Sequence, residues 1–170
     1  MPDDTRSVSG SLLDAEHAAF LTTAGVSISV GSRDAEHLPN VTRGIGCRIA
    51  ADRSRVSVFV IAEQSRDVLD DVRANRQVAV VFSEPRTHRT VQMKGGDALI
   101  ESLLADDAQI IARYRETFTA ELGALGYSSL FVRTLIDASA GELVAVSFTP
   151  NAAFSQTPGP KAGAPLGDGK

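Results

Sequence analysis

Gln64-Ser65-Arg66 stands where a short helix is expected to begin, and a serine and an arginine at a helix start are chemistry for an anion. A helix N-terminus offers free backbone N–H groups, and a guanidinium beside it adds charge-assisted, often bidentate hydrogen bonds. The same residues also read as an N-cap serine followed by a solvated arginine, because serine is a favoured cap in any helix. Arg43 lies in a period-two run with Val41, Ile45 and Cys47. A guanidinium in such a row needs a partner or an edge. Either it meets a ligand, or the row faces outward at a contact between subunits. Arg48 follows five residues later, so a regular strand points the two arginines to opposite faces, and they share a ligand only where the strand bends. Gly44 and Gly46 share a face and leave backbone bare, which lets a flat ring lie close or marks a twist or bulge. Arg89, Thr90, Gln92 and Lys94 form a polar series on a later strand, the usual mark of a solvated face.

Other catalytic groupings are missing from the sequence. His17, His37, His88 and Cys47 are scattered without metal-ligand spacing. His88 has no serine or cysteine at a recognisable distance along the chain, and Cys47 reads as a small buried residue rather than a nucleophile. No pair of carboxylates is set for acid–base work. Any enzymatic chemistry therefore falls to a bound cofactor that the protein positions.

A chain of 170 residues with 43% hydrophobic residues suits one domain with a real core. Its net charge of −4 argues against a general nucleic-acid role, since surfaces that track phosphates are basic. A bound anion needs a local cluster of arginines inside this acidic whole. The longest apolar runs, such as Val78 to Phe82, are strand-sized and far below the ~20 residues a bilayer demands. The start, Met-Pro-Asp-Asp, has neither a basic nor an apolar leader region. A single cysteine forms no internal disulfide, which fits a reducing compartment. The expectation is a cytoplasmic protein with no membrane and no nucleic-acid partner.

The elements that must position these residues follow from periodicity. Residues 1–10 are polar and expected to be flexible. Ser11 can cap a helix to about Thr22. Val26 to Val30 alternates as a strand, a polar turn covers Ser32 to His37, and a second strand runs from about Val41 to Ile49. Asp52-Arg53-Ser54 turns into a third, Val56 to Ile61. Such a meander of hairpins implies antiparallel pairing. The helix opened by Gln64-Ser65 has Val68, Leu69 and Val72 on its apolar face. Val78 to Phe82 is apolar on both faces and reads as a central, doubly covered strand. Arg89 to Ile100 is a long strand with a bulge or bend at Gly95-Gly96. Helices are expected over about Asp106–Leu122, with Ile110, Tyr114, Phe118 and Leu122 at four-residue spacing, and over Ser129–Ile136. The last strand is Leu143 to Phe148. The domain thus spans 11–150, and residues 151–170 form a Gly/Pro-rich tail. Its first part, with Phe154, Gln156 and Thr157, can dock on the domain, and residues 164–170 are expected to be flexible.

Three stretches together resemble the pyridoxamine 5′-phosphate oxidase-like superfamily of FMN-binding split barrels. They are Pro39-Asn40-Val41-Thr42-Arg43-Gly44-Ile45-Gly46, then Gln64-Ser65-Arg66, then Arg89-Thr90-Val91-Gln92-Met93-Lys94-Gly95. The closing run Phe154-Ser155-Gln156-Thr157-Pro158-Gly159-Pro160 is similar to an uncharacterised branch of it. The resemblance covers about residues 12 to 163. It implies a six-stranded antiparallel Greek-key split β-barrel, mainly β with helices. It also implies a homodimer, with FMN in a groove between subunits.

For the site, the resemblance places cofactor contacts at Arg43, Arg48, Gln64, Ser65, Arg66, Thr90 and Gln92. Where the oxidase has a lysine after its Ser-Arg pair, this chain has Asp67. Thr90 falls where the oxidase has a flavin-facing glutamine, and Gln92 lies two residues on, on the same strand face. The oxidase's C-terminal substrate signature, an Arg-x-His run, is missing, so oxidation of pyridoxamine phosphate is not expected. Two functions are compatible with the superfamily. One is an FMN-dependent oxidoreductase with an unknown small-molecule substrate. The other is a module that holds FMN, a deazaflavin or haem without turnover; haem would draw its axial ligand from the three histidines.

Overall fold

A computed structural model of the chain describes residues 12–136 and 142–166. The expected loose N-terminus, the Ser11 cap and the last four residues of the tail lie outside the described residues. Two antiparallel sheets enclose the core, with four α-helices around them. In the first sheet the strand order is β2 (Pro39–Gly44), β1 (Ser27–Arg33), β5 (Val78–Ser83), β6 (Thr90–Gly95) and β9 (Ala152–Ser155). In the second it is β3 (Cys47–Ile49), β4 (Val56–Ile61), β8 (Leu143–Phe148) and β7 (Leu99–Ser102). Ile28, Val30, Val80, Phe82 and Met93 from the first sheet and Val58, Val60, Val146 and Phe148 from the second are buried in the core.

The described residues form nine strands where six were expected, and the reason is local. The expected strand from Val41 to Ile49 breaks at Ile45-Gly46, where Gly46 takes φ +147° and the chain leaves one sheet for the other. The expected strand from Arg89 to Ile100 breaks in the same way after Gly95, with β6 and β7 in different sheets. The tail adds the ninth. Coverage also differs from expectation. The strand buried along its whole length is β4, whereas β5 alternates buried with half-exposed residues. Ser57 escapes notice as a buried residue because its hydroxyl meets Ser147 at 2.8 Å, which satisfies both groups.

Asp14 caps the first helix, α1 (Ala15–Leu21), accepting from the His17 N–H at 2.7 Å. After a short 3-10 turn at Glu63–Ser65, α2 (Arg66–Asn75) buries Val68, Leu69 and Val72. Its buried Asp71 accepts from Ser32 Oγ at 2.6 Å and Asn40 Nδ2 at 2.9 Å, pinning the helix to the β1–β2 hairpin. The long helix α3 (Asp107–Ala124) buries Ile111, Tyr114 and Phe118, and α4 (Ser129–Ile136) follows it.

Close approach explains Gly44. A Cβ there would sit 2.7 Å from both Ile28 Cγ2 and Val58 Cγ1, at the seam where the two sheets meet. Gly44→Ala is therefore expected to destabilise the fold by about 1–3 kcal/mol through overpacking, read as a lower urea midpoint at unchanged slope.

The tail does not leave the domain. Beyond the ladder of β9 on β6, Asn151 N donates to Lys94 O at 2.9 Å and Gln156 N to Thr90 O at 2.8 Å. The chain then turns back along the free edge of β9. Ser155 N donates to Ala164 O at 2.8 Å, and Leu166 N to Ala153 O at 2.8 Å. Residues 164–166, expected to be flexible, are thus held by backbone pairing.

Candidate functional site

The register of the first sheet lines up its outer face. Arg43 lies beside Ser29, Ser29 beside Val81, Val81 beside Gln92, and Gln92 beside Phe154, one row across all five strands. The next row holds Ser27, Ser83 and Thr90, and on the other side lie Val41, Gly31, Ala79 and Lys94. These side chains are small over β1 and β5, and Ala79 and Val81 are half-exposed. The result is a face with small side chains at its centre, apolar at Ala79 and Val81 and polar at Ser29, Ser83 and Thr90. Arg43 and Gln92 stand on it with two strands between them, and three spacings of ~4.8 Å place them about 14 Å from each other.

Arg43 turns toward α3. Its guanidinium lies 5.7 Å from the centre of the Phe118 ring and 3.4 Å from Ser27 Oγ. Thr90 is engaged within the sheet, its hydroxyl 2.8 Å from Ser83 Oγ and donating to His88 O at 2.9 Å. Gln92 receives Gln156 Nε2 at 3.5 Å on its carbonyl oxygen. The tail therefore brings Gln156 and Thr157 to the two positions that the strand supplies, Thr157 Oγ1 accepting from the Thr90 N–H at 2.9 Å.

At the β2 edge of this face a recess of about 240 Å³ is lined by Asn40, Val41 and residues 63–68. Gln64, Ser65 and Arg66 meet here. Ser65 does not cap α2 with its side chain; its buried hydroxyl lies 2.8 Å from Thr42 Oγ1. Thr42 sits on the opposite face of β2 from Arg43, so the recess and Arg43 flank one edge strand from its two sides. Arg66 is 73% exposed and pairs with Glu63 at 3.6 Å, a contact that water weakens. Asp67 is exposed in the first turn of α2, where a carboxylate suits the helix dipole but lowers the local positive potential. Thr42 and Asn40 were not singled out as site residues from sequence. Their signal was the polar alternation on the face opposite Val41 and Arg43.

Arg48 is placed elsewhere. On β3, its Nε donates to Asp107 Oδ1 at 2.8 Å, and that carboxylate is fully buried and also accepts from Leu104 N at 2.8 Å. The break at Gly46 thus separates the two arginines into different sheets. Cys47 is buried, and burial pushes its thiol up to about 12, so it stays protonated near neutrality. Burial likewise raises the Tyr114 phenol. No group of His, Cys, Asp and Glu side chains among the described residues is placed to hold a metal ion, and no described helix is long and apolar enough to cross a membrane.

No family model and no curated protein matches this chain. Solved structures do. HupZ of Group A Streptococcus is 16% identical over 88% of this chain and 98% of its own, with a TM-score of 0.51. A proposed pyridoxamine 5′-phosphate oxidase of Lactobacillus delbrueckii is 12% identical over 84% of this chain and 93% of its own, again at 0.51. A conserved hypothetical protein of Mycobacterium tuberculosis is 15% identical over 89% of both chains, also at 0.51. At these identities the likeness is one of fold: two antiparallel sheets and their helices are arranged here as in these solved structures.

Proposed function

We propose that this chain is a flavoprotein that binds FMN between two copies of itself and serves as an oxidoreductase on a small molecule. The observation that carries the reading is the outer face of the first sheet, with small, partly exposed side chains over β1 and β5, bordered at its β2 edge by the Ser65–Arg66 recess. A flavin needs that combination, a broad apolar support for a ring and a cationic, donor-rich end for a phosphate of about two negative charges. Among the described residues the recess supplies one cation, Arg66, and the amide donors of Gln64 and Asn40, against the carboxylates of Glu63 and Asp67. Arg66, Gln64 and Asn40 would hold the phosphate end, and Arg43, which turns toward Ser27 and Phe118 on the other face of β2, would border the ring. Gln92, Thr90 and Gln156 would border the ring. Bound there, FMN supplies hydride or single-electron transfer. The chain's own part is to orient the ring and, through the tail segment from Gln156, to close one side of it.

The second copy is proposed on the same ground. Ala79 and Val81 on the outer face of a central strand are apolar, yet both remain partly exposed in a single chain. Covering that face with its twin would bury it. A non-catalytic module on the same fold, holding FMN, a deazaflavin or haem, is the other reading. Haem is the least supported of these. His37 and His88 are exposed in turns at positive φ, and among the described residues no histidine lines the Ser65–Arg66 recess.

Light scattering of the FMN-saturated protein is expected to give about twice the 17.9 kDa chain mass, with one FMN per chain by absorbance. A stable monomer carrying FMN would remove the intersubunit site.

A further inference from the structure

A cavity of about 620 Å³ opens between the end of α1, strand β3 with the turn after it, and α3. It shares no described residue with the Ser65–Arg66 recess. Its inner wall is apolar, formed by Leu21, Ile28, Cys47, Ile49 and Ile110. Tyr114 of α3 also lines it, and this residue is only 8% exposed. The Tyr114 hydroxyl is buried with no hydrogen-bond partner among the described residues. The Ile28 amide lies near it but outside hydrogen-bond geometry. A buried hydroxyl left unpaired costs the fold free energy, and such groups are few in native proteins. Burial pushes the phenol well above its ordinary range, so it keeps its proton and can donate.

The other polar side chains of the wall are engaged. The hydroxyls of Thr22, Thr23 and Thr117 donate to backbone carbonyls of α1 and α3. The Cys47 thiol donates to Arg48 O at 3.9 Å, and the Arg48 guanidinium pairs with Asp107. Arg53 has an interaction within the protein, and Arg113 is exposed at the rim. The phenol is thus the uncommitted neutral donor of an apolar wall. A pure hydrocarbon would leave it unpaired, and a carboxylate would lose its water against apolar groups. The volume falls within the ~300–1,000 Å³ of small-molecule sites.

We propose that this cavity binds a small neutral molecule, its apolar body on Leu21, Ile49 and Ile110 and one carbonyl or ether oxygen accepting from the Tyr114 hydroxyl. The site does not rest on the flavin reading. It holds or fails whether or not FMN binds at Ser65–Arg66.

NMR titration with acetophenone tests it, beside ethylbenzene, which keeps the shape without the oxygen, and benzoate, which carries a charge. The methyl groups of Leu21, Ile49 and Ile110 report the cavity. Acetophenone is expected to shift them and to bind at millimolar concentration or tighter, with ethylbenzene and benzoate each at least ~3-fold weaker. Tyr114→Phe is expected to weaken acetophenone by ~3- to 10-fold, the worth of one neutral hydrogen bond, and to leave ethylbenzene within ~2-fold of wild type. Because the lost hydroxyl has no partner in the fold, the variant is expected to melt no lower than wild type. The proposal is overturned if acetophenone does not bind or shifts none of these methyls, or if ethylbenzene or benzoate binds as tightly. It is equally overturned if Tyr114→Phe binds acetophenone as wild type does, or melts well below wild type, which would give the hydroxyl a partner inside the protein.

Discussion

Replacing Asp107 by alanine is expected to cost about 3 kcal/mol of stability, a large share of the ~5–15 kcal/mol typical of a domain. The carboxylate is fully buried at the start of α3 and receives two hydrogen bonds, from Arg48 Nε and from the Leu104 N–H. Removing it leaves a cation without its partner and a backbone donor unsatisfied. The cost sits at the lower end for a broken buried pair because the Arg48 side chain keeps 27% of its surface in water. Urea unfolding of Asp107→Ala, Arg48→Met and the double variant measures this. The double variant is expected to be more stable than the sum of the two single losses predicts, by at least ~1 kcal/mol, since the groups are in contact. Losses below ~1 kcal/mol in both single variants would mean that the pair does not hold α3 to β3. The result also bears on function, because any effect of an Arg48 variant on cofactor binding passes through this pair.

Ending the chain after Phe148 is expected to damage the fold itself and not only a binding groove. It removes β9, which pairs residue by residue with β6, and uncovers the place filled by buried Ala153. It also strips the returning segment that ties Ser155 and Leu166. Strand β6 then becomes an open edge with unpaired N–H and C=O groups, a template for aggregation. With at least six backbone hydrogen bonds lost at ~0.5–1.5 kcal/mol net each, a loss of about 3 kcal/mol or more is expected, together with aggregation on concentration. Phe154→Ala, which keeps the backbone ladder and loses only the ring beside Lys94, is expected to melt close to wild type. A truncated chain that unfolds at the full-length midpoint would show that the tail is an ornament of the sheet.

These two cases mark where the sequence was legible. β4 and α4 have the bounds that periodicity gives, because each is a regular run bounded by turn residues. The outlines of α2 and its apolar stripe were equally plain. The breaks at Gly46 and Gly95 were not, since alternation of side chains continues across a glycine at which the backbone changes sheets. β9 was hidden by composition. A Gly/Pro-rich tail reads as loose, yet Ala152–Ser155 carries the pairing before the prolines begin. For the proposed site, the motifs pointed to Gln64, Ser65, Arg66, Thr90 and Gln92, and the register adds only that Arg43, Thr90 and Gln92 share one face. The Arg48–Asp107 pair was invisible, because its partners stand 59 residues apart and nothing in either local pattern points to the other.

Flavin binding at the β2 edge is tested most directly by titrating FMN into wild type, Arg66→Ala and Asp67→Lys and following flavin fluorescence. Wild type is expected to bind, Arg66→Ala to bind roughly 10- to 100-fold more weakly through loss of one charged hydrogen-bond partner worth about 1.5–3 kcal/mol, and Asp67→Lys to bind more tightly than wild type. Equal affinity in all three proteins, or no binding by wild type, would contradict the account.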